Sequence, residues 1–215
     1  NQLNLWIEQI HRYIFISIDI FSYQMIQKDI NVQDKNKANK SKKWTKQKIL
    51  EYFLANPTVK LRAREIERAV KVSFPSVPRY VKELESEGIL HKETIGRVVF
   101  FTASRGSLEY KKKKLCFNLK QLLSCGVLEA FRVEMSNPVV VLFGSYSRGE
   151  DIETSDIDLY VETKSKKEIY FKRFEKKLGK EIQMHKFASL KDVPNKELAN
   201  NIINGIVLNG FLEVF

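Results

Sequence analysis

The sequence predicts an α+β protein, in which a basic helical module precedes a small α/β core built on a mixed sheet. Two observations support this fold class. Apolar residues recur at helical spacing through residues 42–87, and short β-branched runs such as residues 139–143 alternate with helical stretches further along the chain. The 215 residues are enough for one large or two small domains with buried cores.

Positive charge is concentrated in the first of these two parts. The whole chain carries a formal charge of +11. Residues 41–115 contain 18 lysines and arginines against 8 glutamates, whereas residues 138–215 contain 12 basic and 12 acidic residues. Because contacts with phosphates release counterions, clustered charge of this kind favours a nucleic-acid partner.

Residues 1–40 form an N-terminal extension to which no function is assigned. Its apolar run, residues 14–21, is too short to span a bilayer and contains Asp19. The two cysteines, Cys116 and Cys125, have no zinc-type spacing with a histidine and no disulfide-rich context. We therefore expect a cytoplasmic protein with reduced thiols and no membrane segment.

Residues 41–104 are predicted to form three helices followed by a hairpin. The helices have apolar stripes and the strands are β-branched and aromatic. In order, the elements are helices over residues 42–56, 62–70 and 75–87 and strands over residues 89–93 and 98–102. This order, with basic Arg97 in the turn of the hairpin, resembles a winged helix-turn-helix domain.

The resemblance implies that residues 41–104 bind duplex DNA. In such domains the third helix presents the side chains of its N-terminal part to the major groove. The side chains expected to be exposed as DNA contacts are Ser76, Arg79, Tyr80 and Lys82 on this helix and Arg97 on the hairpin. A three-helix module that binds a protein partner is the alternative.

Residues 105–137 are predicted to be linker helices that lead into a second domain, residues 138–215. The lysine run at residues 111–114 extends the basic module, and Gly126 interrupts the helical pattern. Residues 139–143 then form a short apolar, β-branched run, which is typical of a buried strand.

A pattern suited to metal and phosphate follows this strand. Gly144 and Ser145 end the strand and can offer backbone N–H groups and a hydroxyl to a phosphate. After a polar segment that contains Gly149, strand-like alternation resumes and places Asp156 and Asp158 on one face. Magnesium in proteins takes one or two carboxylates plus phosphate oxygens. The pattern therefore indicates a site for a metal-bound nucleoside triphosphate.

These residues resemble the signature of the minimal nucleotidyltransferases of the polymerase β-like superfamily. The resemblance is carried by Gly144-Ser145, Arg148-Gly149 and Ser155-Asp156-Ile157-Asp158-Leu159, at a spacing that fits without a gap. It implies that Asp156 and Asp158 are the catalytic residues and bind Mg²⁺ (or Mn²⁺), with an NTP, ATP being the first expectation, as substrate. It also implies nucleotide contacts from Gly144, Ser145, Arg148 and Ser155.

The remaining elements complete a small α/β core with a mixed sheet. Their apolar residues recur at helical or strand spacing. They are a helix over residues 165–178, a strand over residues 180–187, a last helix that includes residues 199–204 and a terminal apolar stretch over residues 206–214.

A third carboxylate, which the resemblance leads us to expect, is missing. Active relatives place it on the strand after the turn at Gly179, where it helps to hold a second metal and activates the attacking hydroxyl. By register from Gly179, this position is Gln183. Glu181 and His185 lie two residues to either side on the same face, and either could act as the base. Otherwise the substrate or a partner supplies the base, or the site binds nucleotide with little or no turnover.

Three functions are consistent with these features. The first is a Mg²⁺-dependent nucleotidyltransferase that moves a nucleoside monophosphate from an NTP to a hydroxyl acceptor and is recruited to DNA by the helical module. The second is a DNA-binding transcriptional regulator with a degenerate, nucleotide-sensing nucleotidyltransferase domain. The third is an antitoxin-type nucleotidyltransferase that modifies a partner protein. The intact aspartate pair favours chemistry, whereas Gln183 and the basic module favour regulation.

Overall fold

A computed structural model describes the backbone of residues 37–214 and the side chains of residues 44–214. The chain divides into two compact units, Asn1–Trp44 and Thr45–Phe215. The described part of the first unit is the start of helix α1, Lys37–Ala55, so the apolar run at residues 14–21 lies outside the described residues. Among residues 37–214, no helix combines the length and the apolar character needed to cross a bilayer.

The first part of the second unit is three-helical and carries a small antiparallel sheet. After α1 come helix α2 (Ala63–Val70) and helix α3 (Val77–Ser86), and strands β1 (Lys60–Leu61), β2 (Leu90–Ile95) and β3 (Val98–Ala103) pair in the order β1-β3-β2. Pro78 lies in the first turn of α3, where its missing amide costs no intrahelical hydrogen bond. The helices and the sheet bury one core, which includes Ile49, Phe53, Ile66, Val77, Val81 and Leu84.

Helix α4 (Leu108–Cys125) belongs to two cores. Its cap is Ser107, whose hydroxyl accepts a hydrogen bond from the amide of Tyr110 at 3.0 Å. Tyr110 packs in the core of the first part and donates to the Phe53 carbonyl at 3.2 Å, whereas Leu122 packs in the core of the second part. Helix α5 (Val127–Glu134) follows directly after Gly126. Helix α4 therefore contributes side chains to the cores on both sides of the boundary predicted at residue 104.

The second part is built on a four-stranded mixed sheet, as predicted. Strands β4 (Val139–Phe143), β5 (Ile157–Glu162), β6 (Ile182–Phe187) and β7 (Ile206–Asn209) lie in the order β6-β5-β4-β7. Strands β5 and β6 are parallel, and the other two pairs are antiparallel. Helices α6 (Gly144–Arg148), α7 (Lys172–Leu178) and α8 (Lys196–Ile203) connect the strands.

Apolar side chains cover both faces of this sheet. On one face, Leu142 and Leu159 join Leu122 of α4 and Phe131 of α5. On the other face, Tyr160 packs with residues of β4 and with the chain around α8. Each fully buried aliphatic side chain contributes about 1.5–3 kcal/mol, so burial on both faces stabilises the two central strands β4 and β5.

Two local predictions need correction. The helix predicted over residues 165–178 begins only at Lys172. Upstream, the Thr163 hydroxyl accepts from the Ser165 amide at 3.1 Å and the Ser165 hydroxyl accepts from the Lys167 amide at 3.2 Å, so side chains take up the amides that a helix would need. The segment after Phe143, predicted as a turn, forms the short helix α6.

Candidate functional site

The two predicted aspartates lie at the end of the sheet where β5 begins. Asp156 immediately precedes the strand and Asp158 is its second residue. Asp158 lies in register with Phe143, the last residue of β4, and with Gln183 of β6. Both carboxylates are half-buried. The end of β4 thus brings the Gly144 turn to the carboxylates, because β4 and β5 are antiparallel.

Gly144 lies against the carboxylate of Asp158. It has a φ of +74°, in the left-handed region that favours glycine. A Cβ at this position would lie 2.3 Å from Asp158 Oδ2. The missing side chain therefore lets the Asp158 carboxylate pack directly against the backbone at the start of α6.

The electrostatics of the pair favour a cation. Burial raises the pKa of the Asp158 carboxyl, and the neighbouring charge of Asp156 also raises it. His185 and Arg148 shift the pKa of Asp158 in the opposite direction. A carboxylate whose ionised form is disfavoured by burial and by a neighbouring negative charge gains stability when a cation binds beside it.

The position predicted for a third carboxylate is occupied by an amide that contacts the pair. Gln183 Nε2 donates to Asp156 Oδ2 at 2.7 Å. His185, two residues on, also reaches the site, since its Nε2 lies 3.8 Å from Asp158 Oδ1 and its ring packs against Phe143 at 5.2 Å between centroids. Glu181 is exposed and precedes β6. Of the two candidate bases, His185 is the one that the structure brings to the aspartates.

The other predicted nucleotide contacts lie on the segment from Gly144 to Asp156. Ser145 follows Gly144 and is half-buried. Arg148 is exposed, and its Nε donates to Glu150 Oε2 at 2.9 Å. The Ser155 hydroxyl accepts from the Ile152 amide at 3.0 Å, so in this structure it closes the loop before Asp156.

A buried polar cluster anchors this loop to α4. Asp151 is 1% exposed, and its Oδ2 lies 2.9 Å from the Nζ of Lys114, which is also 1% exposed. Asn118 donates to Asp151 Oδ1 at 2.6 Å and to the Tyr146 carbonyl at 3.0 Å. Burial lowers the pKa of Lys114, whereas the charge of Asp151 opposes this shift.

This cluster was not predicted from the sequence, and Lys114 lies in the interior rather than at the predicted basic surface. The lysine run at residues 111–114 was expected to extend the basic surface, but Lys114 is buried. A signal was present in the spacing, because Lys114 lies four residues from both Tyr110 and Asn118, on the face of α4 that both cores cover. Lys111 also turns to the loop, with its Nζ 2.6 Å from Glu150 Oε1.

A second contact connects the loop to the helical part of the chain. Thr58, between α1 and β1, donates from its amide and from its hydroxyl to the two carboxylate oxygens of Glu153, at 3.0 and 2.9 Å. These bonds lower the pKa of Glu153 against the opposing effect of burial. Neither residue was singled out in the sequence.

The predicted DNA contacts are only partly exposed. Arg79, Lys82 and Arg97 are exposed and Ser76 is half-buried. Tyr80, expected to be exposed, is 4% exposed, because its spacing from Val77 and Leu84 places it on the inward face of α3. Arg79 pairs with Glu83 at 2.9 Å, so part of its charge is already neutralised.

The donor set at the aspartates fits a hard divalent cation. Two half-buried carboxylates supply the oxygen ligands that Mg²⁺ prefers. Within residues 44–214, no group of three or more His, Cys, Asp and Glu residues is suited to hold a metal. A metal at this site would therefore rely on phosphate oxygens and water for its remaining ligands.

A comparison with models of protein families found a match in the second part of the chain. Residues 124–204 match the family model described as a nucleotidyltransferase domain. The matched segment begins inside α4, ends just after α8 and contains the aspartates, Gly144 and Gln183. This match supports the predicted nucleotidyltransferase domain and, with it, a general function in NTP transfer. No curated protein and no solved structure matched the chain.

Proposed function

We propose that the protein is a Mg²⁺-dependent nucleotidyltransferase, which moves a nucleoside monophosphate from an NTP to a hydroxyl acceptor. The observation that carries this proposal is the meeting of three features at one end of the sheet. These features are the half-buried carboxylate of Asp156, the half-buried carboxylate of Asp158, and the Gly144 backbone, which packs against Asp158 Oδ2. The family match to residues 124–204 supports the same reaction class.

The residues divide into binding and catalytic roles. Asp156 and Asp158 would hold Mg²⁺, which when bound offsets triphosphate charge and helps the pyrophosphate to leave. The backbone and hydroxyl at Gly144 and Ser145, at the start of α6, would contact the phosphates. Arg148 brings a positive charge close enough to influence Asp158. His185 Nε2 is the best-placed acceptor for the proton of the attacking hydroxyl.

The direct experiment measures transfer from labelled NTPs in the presence of Mg²⁺. ATP and the other NTPs are each offered with DNA, RNA and the protein itself as acceptors. We expect Asp156→Asn and Asp158→Asn each to abolish transfer and the Mg²⁺-dependent part of NTP affinity. The matched control is Asp192→Asn, which changes an exposed aspartate on the chain before α8 and should change neither. Equal NTP binding by the site variants and the parent, without transfer, would refute the proposal.

A second candidate function is a regulator that senses a nucleotide without transferring it. The hydrogen bond from Gln183 to Asp156 favours this function, because an amide cannot accept the proton of an attacking hydroxyl. Gln183→Asp separates the two candidates. If the missing carboxylate limits turnover, this change should raise or create transfer with little change in NTP affinity, because a base acts on the transition state.

The identity of the base can be tested in the same assay. We expect His185→Gln to lower transfer strongly and Glu181→Gln to lower it little, since only His185 reaches the aspartates. If Glu181 serves as the base instead, Glu181→Gln should stop transfer and Gln183→Asp should restore it. Loss in neither single variant would indicate a base supplied by the acceptor or a partner.

We infer further that residues 41–104 are a winged helix-turn-helix domain that binds duplex DNA. Three helices with a hairpin, and exposed Arg79, Lys82 and Arg97, support this inference. The full chain should bind duplex DNA with an affinity that falls steeply as salt rises. Because Tyr110 of α4 completes the core of this part, the full chain is used rather than an isolated fragment.

Variants separate DNA binding from the nucleotide site. Arg79→Ala together with Lys82→Ala should weaken DNA binding, whereas Asp156→Asn should leave it unchanged. Tyr80→Phe should also leave DNA affinity unchanged, because the Tyr80 side chain is buried. Binding that does not respond to salt would contradict the DNA-binding inference.

A further inference from the structure

Asp156 is held in place by the segment that joins α7 to β6. The Ser155 carbonyl, in the peptide bond before Asp156, accepts a hydrogen bond from Lys180 Nζ at 3.2 Å. The Ile157 amide, in the peptide bond after Asp156, donates to the Glu181 carbonyl at 2.9 Å. Three hydrogen bonds therefore fix Asp156, one to the peptide bond before it, one from the peptide bond after it and one from Gln183 to its carboxylate.

Lys180 has further contacts along the same loop. Its Nζ donates to the Ile152 carbonyl and, at 3.4 Å, to the Glu153 carbonyl. It also lies 3.4 Å from Asp151 Oδ2, and the Lys180 side chain is only 9% exposed. An ammonium group has three donor hydrogens and no acceptor, so these carbonyls use its full donor capacity. The ammonium of Lys180 thus binds three carbonyls of the loop, those of residues 152, 153 and 155.

The two aspartates differ in what holds them. Asp158 is a residue of β5, which is paired with β4 on one side and with β6 on the other. Asp156 precedes that strand, so its position relative to Asp158 depends on the loop and on the contacts that fix it. Among these contacts, the ammonium of Lys180 is the one that joins several turns of the loop at a single point.

We propose that Lys180 is a positioning residue that sets the geometry of the Asp156–Asp158 pair for Mg²⁺. The proposal rests on the nucleotidyl-transfer function proposed above. Without the ammonium, the carbonyls of residues 152, 153 and 155 lose a donor and the buried Asp151 loses one of its two neighbouring cations. The loop then relaxes, and Asp156 no longer shares a cation with Asp158 in one fixed arrangement.

The test compares Lys180→Met with Lys177→Met in the full chain. Lys177 is a matched control, because it lies three residues earlier and its Nζ also donates to a backbone carbonyl, that of Cys125, at 3.0 Å. Two quantities are measured: amide hydrogen exchange of residues 150–158, and ATP affinity with Mg²⁺ and with EDTA. The exchange measurement needs neither metal nor nucleotide.

We expect Lys180→Met to weaken Mg²⁺-dependent ATP binding by about tenfold or more, as loss of a group that orients a metal ligand does. Exchange at residues 150–158 should quicken, whereas affinity in EDTA should stay within about twofold, because the metal-free part does not need the aspartate pair. Lys177→Met should change none of these quantities. Lys180→Arg, which keeps the charge and the donors, should recover part of the Mg²⁺-dependent affinity.

Unchanged exchange and unchanged Mg²⁺-dependent affinity in folded Lys180→Met would overturn the proposal. If Lys180→Met does not fold, Lys180→Arg takes its place: faster loop exchange with weaker Mg²⁺-dependent affinity supports the proposal, and parental values of both overturn it. A parent protein that binds neither ATP nor any other NTP with Mg²⁺ refutes the proposed function instead. The exchange of residues 150–158 then decides by itself whether Lys180 holds the loop.

Discussion

Replacing Gly144 by alanine should disable the site while leaving most of the folding free energy intact. The φ of +74° costs an L-residue about 1–2 kcal/mol. Alanine recovers about 0.4–1 kcal/mol by restricting the unfolded chain, so the net backbone cost is about 1 kcal/mol. The larger effect is local, because the new Cβ would lie 2.3 Å from Oδ2 and 3.2 Å from Cγ of Asp158. The carboxylate has to swing away.

Gly179→Ala is the matched control for this prediction. Gly179 has a φ of +67°, and a Cβ there meets nothing within 4 Å. Both variants therefore carry the same backbone cost, and only Gly144→Ala adds a contact with Asp158. The difference between the two isolates the displacement of one carboxylate.

Urea unfolding and titration with ATP in the presence of Mg²⁺ test the prediction. Both variants should lose about 1 kcal/mol of unfolding free energy. Gly144→Ala should also lose about tenfold or more in Mg²⁺-dependent ATP affinity, because a metal ligand is displaced. If Gly144→Ala binds ATP with Mg²⁺ as tightly as Gly179→Ala, the prediction that the new Cβ displaces the Asp158 carboxylate from the metal is wrong.

Two further predictions concern stability. Lys114→Met should lower the unfolding free energy by about 3 kcal/mol or more, because it leaves the buried Asp151 with only the more distant Lys180 as a neighbouring cation. In the same urea titration, the control Lys112→Met removes an exposed ion pair and should lower the unfolding free energy by less than about 1 kcal/mol. Burial raises the phenol pKa of Tyr110, Tyr146 and Tyr160, so as the pH rises the unfolded chain loses these protons before the folded chain does. The unfolding free energy should therefore hold below pH ~10 and be lower by about 1.4 kcal/mol per tyrosine at pH ~11. Equal urea midpoints at pH ~8 and pH ~11 would contradict this second prediction.

Residues close in sequence determined much of the site. A two-residue period predicts Asp156 and Asp158 on one face, although Asp156 precedes β5 and the loop fixes its final position. The pairing of Phe143 with Asp158 brings Gly144 near them. Counting from Gly179 also identified Gln183, which the structure pairs with Asp158 in register. These relations depend on strand geometry over a few residues, and strand geometry varies little from protein to protein.

Only the tertiary structure decided which groups support these residues. Lys180 lies 24 residues after Asp156 and Lys114 lies 37 before Asp151, and no local spacing connects them. Each meets the loop because α4 and the turn before β6 pack against the same end of the sheet. The late start of α7 has a local origin instead, since the Thr163 and Ser165 hydroxyls accept hydrogen bonds from nearby amides. The inward position of Tyr80 follows from its spacing to Val77 and Leu84. Burial is a property of the whole packed chain, so a lysine's place at the surface or beside a buried carboxylate is settled only when distant segments meet.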